Sequence, residues 1–274
     1  MISASRTVLA CLVLLSSVSA AVPEELVIPG SGNPEFVLGQ LARAFHSAES
    51  VHQVTIPPST GTAGALRDVG EGKTSIGRVG RQLKAEEQRQ GLIYVPLGVD
   101  AVVFVAGAGV SARSLSRTQV LDIYAGKITD WGALGARPGP IRVIGREVTD
   151  ASRQAIGRAM PPFGETVFAD AVKIVHLDHQ MLALSDRYPT SLGFLNRSGL
   201  YAAKTVLVPL GWDEIEPTPA NLESGRYPIR MEFGLIYQEA ALSEAGKLFL
   251  QFVGSPAAQR ILREYGVGPV LPIR

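Results

Sequence analysis

One short stretch of the chain, residues 57–81, most constrains what this sequence can form. It follows a β-like run at residues 51–56 and reads as a hydroxyl-rich turn, a short helical pattern and a second strand at residues 74–79. A hydroxyl-rich turn that opens a helix leaves backbone N–H groups free at the positive end of the helix dipole. Two arginines, Arg78 and Arg81, lie at the end of the second strand. The stretch therefore predicts a strand–helix–strand unit that binds a small anion.

The N-terminal segment has the pattern of a secretory signal peptide. Arg6 precedes a short apolar core at residues 8–18, and small residues before Ala21 fit a cleavage site. The apolar core is too short to span a membrane. Cys11, the only cysteine, could mark a lipoprotein signal, but the apolar core continues past it. We therefore predict that residues 1–20 are a cleaved signal peptide and that the exported chain has no disulfide.

The composition excludes several classes of function. The formal net charge is +1, with 26 basic and 25 acidic side chains and no basic block. Such a chain is not expected to bind nucleic acid or an anionic membrane surface. An exported chain without cysteine has neither a catalytic thiol nor a cysteine metal site. The absence of G-x-S-x-G and S-x-x-K motifs leaves a serine hydrolase without support from the sequence.

Two further motifs have alternative interpretations. Residues 107–112 read G-x-G-x-x-A, but the next helix begins only near Ser116, so a dinucleotide cofactor is not expected. His176, Asp178 and His179 are ligand types that could begin a metal site. The sequence has no second ligand cluster, so a solvated loop or helix start is the favoured interpretation. We therefore predict no catalytic residues, no metal and no cofactor.

Strands and helices alternate along the rest of the chain. Asn33 is placed as an N-cap and Pro34 as the first residue of a helix. The turn before them, residues 30–32, is either a second anion cradle or an ordinary strand-to-helix connection, and the ordinary connection is favoured. The alternation predicts an α/β fold with largely parallel sheets. The predicted strands cover residues 26–29, 51–56, 74–79, 92–105 (one strand or two), 141–145, 172–175, 191–195, 205–210 and 229–236.

Several segments carry more specific motifs. Residues 30–32 read Gly-Ser-Gly before the first helix, and residues 59–66 read Ser-Thr-Gly-Thr-Ala-Gly-Ala-Leu. Residues 115–131 contain Gln-Val, Tyr-Ala-Gly-Lys-Ile and Asp-Trp, and residues 191–194 and 217–228 carry further motifs. Together these segments resemble the periplasmic phosphate-binding proteins of ABC transporters, which are class II two-lobed periplasmic binding proteins. The resemblance covers most of the mature chain.

The resemblance implies a fold, a function and a location. The fold is α/β with two lobes, each a central mixed sheet flanked by helices, joined by two hinge crossovers. Lobe I would contain residues 24–98 and 200–274, and lobe II residues 99–199. The implied protein is a periplasmic monomer, not an enzyme, that captures a small inorganic oxyanion, with phosphate expected, for an ABC transporter permease. The alternative is a periplasmic sensory or protein-interaction module that kept the fold while its anion site drifted.

The resemblance also implies a set of ligand-binding residues in three oxyanion loops. In the third loop, Arg146 is the implied bidentate partner of the oxyanion, and Ser152 stands where the family has a donating Thr. The expected ligand-binding residues are Ser31, Gly32, Asn33, Ser59, Thr60, Gly61, Thr62, Arg78, Arg81, Arg146, Asp150 and Ser152.

The sequence departs from the family at two positions near the expected ligand. Gly80 occupies the position of the Asp that accepts a proton from phosphate and so distinguishes phosphate from sulfate. Asp150 replaces a Ser at a helix start, where a carboxylate competes with a bound anion for the same N–H groups. Asp150 is either only an N-cap, which is the favoured interpretation, or the acceptor for a protonated oxyanion held between Arg146 and Arg78 or Arg81.

Overall fold

The structure is a computed structural model that describes residues 22–49 and 51–270. The signal peptide predicted at residues 1–20 lies outside the described residues. Within the described ranges, no helix is both long and apolar enough to cross a lipid bilayer.

Strands and helices alternate along the described chain, as the sequence predicts. The strands are β1 (Glu25–Val27), β2 (Gln53–Thr55), β3 (Ile76–Val79), β4 (Ile93–Ala106), β5 (Ser114–Leu115), β6 (Arg142–Arg146), β7 (Lys173–Val175), β8 (Ser191–Asn196), β9 (Val208–Pro209), β10 (Gly211–Trp212) and β11 (Arg230–Tyr237). The α-helices are α1 (Glu35–Ala48), α2 (Gly61–Gly70), α3 (Ala85–Arg89), α4 (Arg117–Tyr124), α5 (Ala151–Ala159), α6 (Pro161–Glu165), α7 (Asp178–Arg187), α8 (Arg197–Ala202), α9 (Pro219–Glu223), α10 (Glu244–Val253) and α11 (Pro256–Glu264).

Side-chain caps fix where several helices begin. Ser116 caps α4 by accepting a hydrogen bond from the amide of Gln119, whose side chain accepts in return from the amide of Ser116. Ser243 and Ser255 each accept one amide hydrogen bond at the start of α10 and α11. A cap of this kind satisfies an amide that the helix itself cannot satisfy, and it stabilises a helix by about 1 kcal/mol. These local signals explain why the sequence predicts the starts of these helices. The first helix differs from its prediction, because α1 begins at Glu35 with Pro34 in the N-cap position and without a side-chain capping hydrogen bond from Asn33.

One mixed sheet runs through both lobes. Its strand order is β3-β11-β4-β8-β6-β7, and β9 also pairs with β4. The first half of β4 pairs with β11 and its second half pairs with β8. β11 pairs with β4 along its whole length, with a bulge between Phe233 and Gly234. β4 is therefore a single long strand that connects the lobes, which resolves the sequence prediction of one or two strands there.

The prediction of largely parallel sheets is wrong for this sheet. β4 is antiparallel to β11, β8 and β9, and β11 is antiparallel to β3. Among the described strands of this sheet, the parallel pairs are β6 with β7 and β6 with β8. The two-stranded sheets β1–β2 and β5–β10 are parallel, as predicted. β4 carries the chain out of the first lobe and β11 carries it back, so the two strands run in opposite directions where they lie side by side. The α/β class with a mixed central sheet is confirmed.

Two main hydrophobic cores lie on either side of this pair of strands. The smaller core consists of buried side chains from two segments, residues 26–97 and residues 233–267. The larger core consists of buried side chains from residues 101–231. The sequence division placed residues 200–274 in lobe I, whereas buried side chains as far as Met231 pack into the larger core. We propose that the chain returns to lobe I within β11, because β11 contributes side chains to both cores.

Candidate functional site

A cleft of about 660 Å³ lies between the two lobes. Its lobe I wall includes the turn before α1 and the N-terminus of α2. Its lobe II wall includes the end of β6, the N-terminus of α5 and the turn before α7. Most of the predicted ligand-binding residues line this cleft, namely Ser31, Gly32, Ser59, Thr60, Gly61, Thr62, Arg81, Arg146 and Asp150.

The N-terminus of α2 presents free backbone N–H groups to the cleft. Thr60 is the N-cap residue, but its side chain makes no capping hydrogen bond. Ser59 Oγ accepts a hydrogen bond of 3.2 Å from the amide of Gly61. In the described chain, the amides of Thr62 and Ala63 have no protein acceptor. The first turn contains no acidic side chain, so these amides and the helix dipole are available to an anion.

Arg78 does not reach the cleft. Its side chain is fully buried and donates hydrogen bonds to the backbone oxygens of Ser31, Ile28 and Pro57, at 2.7 Å for Ser31 and Pro57. Glu35 Oε2 lies 3.3 Å from the same guanidinium. Burial lowers the pKa of Arg78 to about 10, and Glu35 opposes the fall, so the group stays charged at neutral pH. Arg78 thus fastens the turn before α1 to the loop before α2, which corrects its prediction as a ligand-binding residue.

Arg146 is already paired with two carboxylates of its own lobe. Its Nη2 lies 2.8 Å from Asp150 Oδ2, and its Nη1 donates to Asp178 Oδ1. Nη2 also donates to the backbone oxygen of His176 at 2.9 Å. Burial lowers the pKa of Arg146, but the two carboxylates outweigh burial and the pKa is raised. The charge predicted to bind the oxyanion is therefore compensated within the protein.

Asp150 is the N-cap residue of α5. Its Oδ1 accepts a hydrogen bond of 2.9 Å from the amide of Arg153, while Oδ2 faces Arg146. Burial raises the pKa of this carboxyl, Arg146 opposes the rise, and Asp178 adds to it. The N-cap geometry favoured by the sequence is present, and a role as acceptor for a protonated ligand stays a prediction.

Asp178 is a member of the site that the sequence interpretation missed. It is only 3% exposed, and its Oδ2 has no partner in the described chain. That oxygen lies close to Gly32 of the other lobe. A Cβ atom added to Gly32 would be 3.1 Å from it. Arg146 stands opposite Val175 in the parallel pair of β6 and β7, so the residues that follow both strands meet at one edge. This parallel register is the signal that could have placed Asp178 beside Arg146.

Asn33 and Ser152 join the lobes instead of lining the cleft. Asn33 Nδ2 donates to Ser152 Oγ, and Asn33 Oδ1 accepts from Ser31 Oγ at 3.1 Å. Asn196 Nδ2 donates to the backbone oxygen of Asn33. All four side chains are buried. These contacts hold the N-terminus of α1 against that of α5, so the two lobes touch behind the cleft.

Gly80 has no room for a side chain. A Cβ at this position would lie 2.8 Å from Ser31 Oγ and 3.0 Å from both Ala151 Cβ and Met231 Cε. The Gly80 amide donates to Thr62 Oγ1 at 3.2 Å. Ser31 and Ala151 belong to opposite lobes, so the Asp that the resemblance implies here would collide with both. Glycine at position 80 therefore suits this close approach of the two lobes, and a larger residue would require these neighbouring side chains to shift.

One part of the cleft wall is cationic. Arg81, Lys84 and Arg158 all line it. Arg81 makes two hydrogen bonds of 2.7 and 2.8 Å to the carboxylate of Glu87, which fixes the orientation of its guanidinium. No carboxylate of the described residues forms an ion pair with Arg158. Burial, and then the charge of Arg81, lower the pKa of Arg158.

Arg158 was not among the predicted ligand-binding residues. It lies on α5 with Ala151 and Gln154, which also line the cleft. The spacing of these three residues is that of one helix face. Counting forward from the predicted start of α5 would therefore have identified Arg158 as a cleft residue.

Comparison with protein families identifies the chain's superfamily. A family model described as a PBP superfamily domain matches residues 16–257. The chain belongs to the PBP superfamily. The resemblance to periplasmic phosphate-binding proteins that the motifs indicate is confirmed.

Relatives within this PBP superfamily are named phosphate-binding proteins. The phosphate-binding protein PstS of Bacillus subtilis is 24% identical over 225 residues, which cover 78% of this chain and 70% of the relative. Phosphate-binding protein PstS 2 of Streptococcus agalactiae is 28% identical over 110 residues, a match that spans 40% of this chain and only 37% of the relative's length. A Clostridium perfringens structure is described as that of a candidate phosphate ABC transporter substrate-binding protein with bound phosphate. It has a TM-score of 0.78 and 25% identity, over 90% of this chain and 100% of that one.

Proposed function

We propose that this protein is an exported, periplasmic solute-binding protein that captures phosphate in the cleft and delivers it to the permease of an ABC transporter. The names of its relatives support this proposal. The observation that carries it is the open N-terminus of α2, where the amides of Thr62 and Ala63 face the cleft without a protein acceptor. We expect the protein to be a monomer without catalytic activity, metal or organic cofactor.

The chemistry of the lobe I wall suits a tetrahedral oxyanion. Free amides at a helix start donate hydrogen bonds to an anion and place it at the positive end of the helix dipole. Ser31, Ser59 and Thr60 line the same wall. The hydroxyls of Ser31 and Ser59 already donate to Asn33 Oδ1 and to the backbone oxygen of Gly30, whereas the hydroxyl of Thr60 has no hydrogen bond in the described chain. An anion that contacts this wall and the opposite lobe together would favour the closed arrangement of the lobes, because only that arrangement offers both sets of contacts.

Isothermal titration calorimetry of the mature chain tests the proposal. The protein, dialysed free of phosphate, is titrated with phosphate, sulfate and molybdate, and with buffer alone. We expect saturable phosphate binding with a dissociation constant in the micromolar range or tighter. Sulfate binding equal to or tighter than phosphate binding would contradict phosphate as the captured anion.

The alternative of a sensory or protein-interaction module has no support from the relatives described above. It differs from the proposal in one measurable property, since a module with a drifted site binds none of the three anions. A calorimetric titration without heat for any of them would therefore favour the module over the transport protein.

A further inference from the structure

The arginines of the cleft differ in charge compensation. Arg146, at the end of β6, is neutralised by Asp150 and Asp178. Arg81 of lobe I and Arg158 on α5 of lobe II line another part of the same wall. Among the described residues, Arg81 is paired with Glu87, whereas Arg158 has no carboxylate partner. This part of the wall, which also contains Lys84, therefore holds an excess of positive charge that a bound anion would compensate.

The space around this arginine pair exceeds the needs of a single phosphate. Arg81 and Arg158 line the main cleft of about 660 Å³ and also a second cavity of about 410 Å³ beside the connecting strands. The second cavity adds Arg230 and one carboxylate, Glu232, which accepts hydrogen bonds from Gln82 and Tyr94. Cavities of roughly 300–1,000 Å³ hold ligands much larger than one tetrahedral group. The cationic groups are therefore placed beside space that an anion bound at α2 leaves unfilled.

We propose that the cleft takes a ligand with two anionic groups, of which at least one is a phosphoryl group. The phosphoryl group lies at the amides of Thr62 and Ala63, and the second phosphoryl or carboxylate group lies between Arg81, Lys84 and Arg158. This inference rests on the proposed function and specifies the class of ligand. Pyrophosphate and phosphoglycolate are the simplest members of that class.

Guanidinium groups are suited to the second position. An arginine donates two parallel hydrogen bonds to a carboxylate or phosphoryl group, and such charge-assisted pairs are stronger than neutral ones. Both Nη atoms of Arg81 already donate to Glu87, so the guanidinium of Arg158, which has no carboxylate partner in the described chain, is the main donor at this position. Lys84 is exposed and adds a mobile charge at the same wall.

Competition between ligands of matched shape tests the inference. The mature chain is titrated calorimetrically, in buffer without divalent cations, with phosphate, methyl phosphate, pyrophosphate and phosphoglycolate. We expect the two ligands with a second anionic group to bind at least about tenfold more tightly than phosphate and methyl phosphate. In Arg158→Gln, the dissociation constants for phosphate and methyl phosphate should differ from those for pyrophosphate and phosphoglycolate by no more than about twofold.

A matched variant controls for the loss of one positive charge. Arg142 is an exposed arginine on β6 of the same lobe and does not line either cavity. Arg142→Gln should therefore preserve the preference for ligands with two anionic groups. The inference is overturned if the wild type binds ligands with one and with two anionic groups equally well. It is also overturned if Arg158→Gln leaves the ratio of their dissociation constants unchanged. Phosphate binding without this preference defeats the inference alone, whereas no binding of any ligand defeats the proposed function as well.

Discussion

The N-termini of α2 and α5 face the same cleft from opposite lobes, but they differ in what occupies their amides. At α2 the N-cap side chain makes no hydrogen bond, and the amides of Thr62 and Ala63 are free. At α5 the carboxylate of Asp150 caps the helix and pairs with Arg146. Two helix starts that the sequence predicts as anion loops thus offer an anion different surroundings. A helix start binds an anion only where its own side chains have not already satisfied its amides.

The arginines near these helix starts differ in a related way. Arg78 is fully buried and donates its hydrogen bonds to backbone oxygens in the turn before α1 and the loop before α2. Arg146 is almost as buried, but it lines the cleft and is held by the carboxylates of Asp150 and Asp178. The first is therefore expected to matter mainly for folding and the second for the charge of the site.

The largest effect is expected from Arg78→Ala. The substitution leaves three backbone oxygens without their donor and Glu35 without its partner. Breaking a buried pair in this way lowers the free energy of unfolding by about 3–5 kcal/mol. Urea denaturation followed by circular dichroism measures the change, with Arg142→Gln as the control. Unchanged stability would show that the α2 loop does not depend on Arg78.

A carboxylate placed at α2 should make its N-terminus resemble that of α5. Ala63→Asp introduces an acidic side chain into the first turn, where it stabilises the helix but repels a bound anion. We expect phosphate to bind roughly 100-fold more weakly, since a like charge at a binding surface costs several kcal/mol. Calorimetry measures the change, and Ala63→Asn has nearly the same shape without the charge. Equal affinity of Ala63→Asp and the wild type would exclude α2 as the anion site.

The converse change removes the charge at α5. Asp150→Asn keeps an N-cap residue of good propensity while it ends the competition between carboxylate and anion. We expect phosphate affinity to rise by about tenfold, which corresponds to roughly 1.4 kcal/mol. A fall in affinity would instead support Asp150 as the acceptor of a ligand proton, the alternative that the sequence leaves open.

The smallest effect is a dependence of stability on pH. Burial raises the pKa of Asp150 above the ordinary 3.8, so the folded protein holds this proton more tightly than the unfolded chain. The stability that this carboxyl contributes is full below pH 3.8 and is lost as the pH rises through the raised pKa. Urea denaturation at a series of pH values should therefore show the wild type losing stability relative to Asp150→Asn as the pH rises. A constant difference between them would show that the pKa is not raised.

Local sequence signals predict most of the fold. The Ser-x-x-Gln capping box, the serine caps and the proline at the start of α11 mark the helix starts, and the long apolar run marks β4. α8 was not predicted because it follows β8 directly, without a turn residue between them. The antiparallel order was missed because it depends on which strands return the chain between lobes, and no local pattern carries that information.

The site was harder to predict than the fold, because its important contacts join distant parts of the chain. The acceptors of Arg78 lie before α1 and α2, so its burial cannot be read from residues near position 78. Gly80 could be identified as a departure from the family, but the reason for it lies in the contacts of Ser31 and Ala151 across the cleft. The loops that the sequence motifs identify contribute residues to the cleft wall, whereas tertiary packing determines which of their side chains are free to contact a ligand.

The paired connecting strands have a consequence for how ligand affinity is set. β4 and β11 pair with each other along the whole of β11 and share one bulge at Phe233 and Gly234, so any change in the angle between the lobes must deform this one ribbon. The measured association constant equals that of the closed form multiplied by the fraction of ligand-free molecules that are closed. Substitutions at ribbon positions that line neither cavity can therefore change the ligand concentration that half-saturates the protein, without altering which ligand it recognises.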